Sequence, residues 1–209
     1  MTHTLHRRGT NENLQDDFIV FAMSAKGIND NGSAAKMKEF FNIVKRHKPV
    51  NMGDMKTGNW TLVDEKIIEE KIQDTSIVHS VFSDIETVSN VLKDLQEADL
   101  GLSVVISGLT GPVKQTCRKL GVNPAPHTIE YSLGIWGKTD LLPRDEILEI
   151  STMCGHGQVA FHLIEKMVAD IKRGVTTPEK AAKELAEPCV CGIFNPIRAT
   201  KLLRLLAKE

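Results

Sequence analysis

The sequence predicts an α/β fold, with a four-stranded, mainly parallel or mixed sheet and alternating helices, followed by a C-terminal helical subdomain. Three observations carry that prediction. Short apolar runs alternate with amphipathic stretches as far as about residue 140. From Pro143 onward only helical periodicity remains. The chain of 209 residues, 41% apolar and 25% charged, has the composition of a folded globular protein with one substantial core. The expected organisation is an N-terminal arm (1–17), an α/β domain (18–140) and a helical subdomain (141–209).

Each element has a local cause. Residues 18–23, Phe-Ile-Val-Phe-Ala-Met, read as a buried strand. Ser33 is placed to cap a helix whose Met37, Phe40, Phe41 and Val44 share one face, and Pro49 follows its basic last turn. Residues 51–60 read as an irregular loop with two glycines, of the kind that often carries binding groups. A short charged helix is expected near 64–72, then a strand at 77–82. Ser83 to Glu86 forms a capping box for a helix presenting Val88, Val91, Leu92 and Leu95. A strand at 102–106 and a helix through Val113, Cys117 and Leu120 follow. Residues 128–135 alternate like a half-covered strand. Strands alternating with helices imply βαβ units with right-handed crossovers, and a ferredoxin-like arrangement is the competing four-strand topology.

Composition narrows the function. A net charge of −1 removes the broad positive field of nucleic-acid binders, and aromatics at 5% leave little to stack on bases. No run has the length of a membrane span, and the N-terminus has no apolar signal core. A cytoplasmic location is therefore expected, where clustered cysteines favour metal binding or catalysis over disulfides. The arm around His3 and His6 reads as a frayed terminus.

The chemistry concentrates in two segments, Met153-Cys154-Gly155-His156-Gly157 and Pro188-Cys189-Val190-Cys191-Gly192, which hold three of the four cysteines. Each interrupts helical pattern between glycines or prolines, so soft ligands sit where the backbone is free to turn. If the flanking helices pair, Cys154, His156, Cys189 and Cys191 form a Cys3His set that suits zinc or, with Cys117 replacing His156, an iron–sulfur cluster. In that reading Asp54 and Lys56, in the 51–60 loop, are candidate acid–base groups toward a small-molecule substrate. The protein is then an enzyme or an accessory that holds a metal for a partner protein. A metal-free alternative makes Cys154 a nucleophile, with His79 or His127 as base and Cys189 and Cys191 as a resolving pair. A third makes the chain a binding module, its helical stripe from Ala160 to Ile171 serving as a homo-oligomer face.

Overall fold

The computed structural model describes residues 4–126, 128–130 and 134–208. Five strands make one sheet: β1 (Phe18–Met23), β2 (Asn51–Asp54), β3 (Gly58–Asn59), β4 (Ile77–Phe82) and β5 (Ser103–Ser107). Their order is β3-β2-β4-β1-β5. Each neighbouring pair runs antiparallel, which corrects the expected four-stranded, mainly parallel or mixed sheet.

The physical reason lies in the crossovers. Strand–helix–strand units do return the chain in parallel, as alternation implies. Here β1 and β2 are parallel but leave room for β4 between them, and β4 and β5 leave room for β1. Interleaving two split units makes every neighbour antiparallel, so the four longer strands follow the ferredoxin-like connectivity. Two strand assignments also differ. Asn51-Met52-Gly53-Asp54 is too polar to resemble a strand, yet it pairs with β4 from Asn51↔Val81 to Asp54↔Val78. The expected strand at 128–135 has no counterpart in 128–130 or 134–135, while 131–133 and His127 lie outside the described residues.

Helices cover both faces of the sheet. On one face Phe18, Val20, Met52, Val78 and Phe82 pack with α2 (Ser33–Arg46), α3 (Glu65–Lys71) and α4 (Ile85–Ala98). Phe40 and Phe41 of α2 are fully buried there, each worth about 1.5–3 kcal/mol of apolar transfer. The start of α2 is held by Asp74, whose carboxylate accepts from Gly32 N at 3.0 Å and Ala34 N at 2.7 Å, so Ser33 is not its cap. Likewise Asp84, not Ser83, caps α4 by accepting from Thr87 N at 2.6 Å. After β5, α5 (Thr110–Lys119) packs beside α4.

The opposite face carries Ile19, Phe21 and Val81 against α6 (Asp145–Ser151), α7 (Phe161–Lys172), α8 (Pro178–Ala186) and α9 (Pro196–Lys208). Ile164 and Met167 of α7 are buried in this layer, with Leu163, Val168 and Ile171 packed against it. The stripe considered as an oligomer face is therefore core. Among the described residues no helix is long and apolar enough to cross a membrane.

The N-terminal arm is not frayed over its described length. It forms a short helix, α1 (Asn11–Leu14), and leads into Asp17, which is 1% exposed. Asp17 Oδ2 lies 2.9 Å from Arg7 Nε and 3.0 Å from Arg198 Nη1. Its Oδ1 accepts from Asn195 Nδ2 at 3.1 Å, and Asn195 Oδ1 in turn accepts from Arg198 N at 3.0 Å at the start of α9. A charge buried this deeply is tolerated because two guanidiniums and the Asn195 amide surround it. Arg198→Met leaves the Asp17 and Asn13 acceptors short of donors. We expect it to lower stability by about 3–5 kcal/mol, read by urea denaturation.

Candidate functional site

The two cysteine segments occupy the turns between α6 and α7 and between α8 and α9. Helix α6 stops at Ser151, and a chain of tight turns follows, with Cys154 N donating to Ser151 O at 3.1 Å and Gly157 N to Cys154 O at 3.0 Å. Gly157 takes φ +67°, which reverses the chain toward α7. Pro188 follows α8, and Gly192, at φ +75°, closes the second turn through Gly192 N to Cys189 O at 3.0 Å. Because α8 and α9 pack closely, and α6 and α7 each pack on α9 or its neighbours, the two turns are held side by side.

Three of the predicted residues meet there. Cys154, Cys189 and Cys191 are 2%, 0% and 1% exposed, and all three are free thiols. They lie close enough for Cys154 and Cys189, and Cys189 and Cys191, to perturb each other's ionisation. His156 approaches the group from the exposed side, its Nδ1 3.7 Å from Cys191 Sγ. Gln158 spans the gap between the turns, accepting from Val190 N at 3.4 Å and lying 3.9 Å from Cys154 Sγ.

Contact among the thiols sets their acidities. The hydrogen bond to Cys189, then burial, pushes the Cys154 thiol far above its usual range. For Cys189 the bond from Cys154 acts downward, but the bond to Cys191 and burial outweigh it and leave the thiol at about 12. Cys191 is the acidic member, lowered by the bond from Cys189, with the Arg7 guanidinium adding to the effect. Without a cation, like charges in contact suppress one another, so Cys154 and Cys189 keep their protons at neutral pH. A nucleophilic Cys154 is thus opposed by its surroundings.

The other predicted residues are placed elsewhere. Cys117 lines a cavity of about 650 Å³ beside β5, and burial alone raises its pKa, so it does not join the thiol group. Asp54 shares a face of β2 with Met52, which packs toward α2, whereas the cysteine turns lie on the other side of the sheet. Its Oδ2 accepts from Thr57 N at 3.2 Å and Thr57 Oγ1 at 3.0 Å, a turn staple between β2 and β3. Lys56 is exposed and bonds Thr75. His79, fully buried, points from β4 to the same side as the cysteine turns and stacks at 5.1 Å from Phe21. His6 instead pairs with Glu130 at 3.0 Å.

The 51–59 hairpin contributes structurally. Asn59 Nδ2 donates to Cys189 O at 2.8 Å and to Glu187 O at 3.3 Å, taking up carbonyls freed where α8 ends. Asn51 Nδ2 donates to Phe194 O at 2.8 Å. Gly192 sits directly on β2, where a Cβ would lie 2.5 Å from Met52 C and 2.7 Å from Gly53 N. Sequence reasoning missed Arg7 altogether. Its Nη1 donates to Met153 O, beside Cys154, and its Nη2 to Ile193 O, just beyond Cys191.

The contact at Gly192 is testable against a matched control. Gly174 has nearly the same backbone, φ +73°, with open space where a Cβ would go. Gly174→Ala is expected to cost about 1–2 kcal/mol for the left-handed conformation alone. Gly192→Ala adds a backbone collision, so its loss in urea denaturation should exceed the control's by about 1 kcal/mol or more.

No protein-family model, curated protein or solved structure matches this chain, so the functional reading rests on this geometry.

Proposed function

We propose that the protein binds a single zinc ion through Cys154, Cys189, Cys191 and His156. The convergence of three buried thiols, with an imidazole nitrogen at 3.7 Å from the outermost sulfur, carries this reading. Zinc–sulfur bonds of about 2.3 Å and zinc–nitrogen bonds of about 2.0–2.1 Å put tetrahedral S and N ligands about 3.6 Å apart. An iron–sulfur cubane needs its ligands spread around a larger core, which suits so tight a group less well. Among the described residues no three His, Cys, Asp or Glu side chains are already set around one ion position. Loading would therefore be accompanied by rotation of the thiols toward the ion and by loss of their protons.

The electrostatics favour the same reading. Buried thiols in contact resist ionisation in the apo protein, and a divalent cation removes the reason for that resistance. Because Cys154 and Cys189 hold their protons at neutral pH, zinc must displace them. The apparent affinity should therefore fall as pH drops from about 8 to 6, read by competition with a chromophoric chelator.

A direct test is elemental analysis and a visible spectrum of protein purified without oxygen or chelator. Zinc near one equivalent and no colour is the expected result. Iron with acid-labile sulfide would replace zinc by a cluster, and the absence of both metals would overturn the reading. Replacing Cys189 and Cys191 by serine should abolish retention, whereas Cys117→Ser, in the separate cavity wall, should leave it intact. One observation favours a metal-free second reading, namely that the acidic thiol, Cys191, is the one beside His156. Metal-free protein in which iodoacetamide labels Cys191 first would support it.

A further inference from the structure

We infer that Arg7, in the N-terminal arm, is a positioning residue of the metal centre that clamps both ligand turns and balances the charge of the ion and its thiolates. This rests on the zinc reading proposed above. A zinc ion with three thiolates and a neutral imidazole carries one net negative charge, and burying such a group requires a counter-charge close by. The Arg7 side chain is only 6% exposed, so its guanidinium is held inside the protein instead of reaching solvent.

The fork of the guanidinium fits the task. One Nη bonds the carbonyl of Met153 and the other that of Ile193, residues that border Cys154 and lie just past Cys191. These partners stand 146 and 186 positions from Arg7 in the chain. One rigid planar group thereby fixes the spacing between two ligand turns, which a lysine ammonium cannot do in the same way. The third nitrogen, Nε, lies 2.9 Å from Asp17 Oδ2 in an ion pair. Asp17 also pairs with Arg198, so two buried guanidiniums share one buried carboxylate. The buried hub is left with one positive charge in surplus, on the side where the metal–thiolate group would carry its negative one.

The experiment is a cobalt(II) titration of the full chain, following the thiolate-to-cobalt charge-transfer band, with far-UV circular dichroism as the check on folding. Cobalt serves as a spectroscopic stand-in for zinc. Arg7→Gln keeps a polar amide but loses the charge and the fork, and should weaken cobalt binding about 10–100-fold with the apo fold unchanged. Arg7→Lys restores the charge without the fork and should recover part of that loss. Wild-type affinity in Arg7→Gln overturns the clamp while leaving the site standing. Equal losses in the two variants overturn the charge-balancing role. If Arg7→Gln does not fold, Arg7→Lys alone decides: a few-fold loss with a shifted band is expected, and wild-type affinity and band overturn the inference. A wild-type chain that takes up no cobalt removes the metal site itself, and the clamp with it.

Discussion

The carboxylate of Asp17 is the constraint on which the architecture around the thiols turns. It is fully enclosed; Arg7 Nε lies in ion-pair contact with it, and its two oxygens accept from Arg198 and Asn195. Those three residues come from the N-terminal arm, from α9 and from the turn that opens α9. An ion pair in so dry a place need not add net stability, because desolvation consumes most of the attraction. Its value is geometric. Any other docking of the arm would leave a charge buried without a partner, so the arm has one acceptable position, and from that position Arg7 reaches both cysteine turns.

The sheet fixes the turns from the other direction. Gly192 lies against the backbone of Met52 and Gly53, a contact that admits no side chain. Gly53 is as restricted, since a Cβ there would sit 2.6 Å from Gly58 O across the hairpin. Asn51 and Asn59 bracket this contact with hydrogen bonds to Phe194 and Cys189 carbonyls. The second cysteine turn is thus held by backbone contact with β2 and by two buried amides. Close approach of two backbones leaves little tolerance, which is what a ligand set requires of its support.

Much of this was legible in the chain and some was not. The helices after the arm follow from periodicity, and the strands at 18–23 and 77–82 from short apolar runs that the sheet buries. Meeting of the two cysteine turns was also legible, since both break helices that must pair to bury Ile150, Leu185 and Leu203. Strand direction was not, because a crossover helix looks the same whether its strands are neighbours or straddle a third. β2 was hidden for a different reason. Its Asn51 and Gly53 serve contacts with the cysteine turn and not burial in an apolar layer, so the segment lacks a strand's composition. Arg7 was invisible because a lone arginine near a terminus carries no local signal. Only Asp17 and two distant carbonyls give it meaning.

Exposure is distributed unevenly over the proposed ligand set. The three sulfurs are buried, Cys189 completely, while His156 stands at the surface on a turn that ends in a left-handed glycine. Arg7 and Asp17 close the inner side, and β2 closes another. Of the four proposed ligands, His156 is the one that meets solvent. Structural zinc sites fill all four positions with protein ligands, whereas catalytic ones leave one position to water or substrate. With four protein ligands, the proposed Cys3His set would correspond to the closed, structural kind.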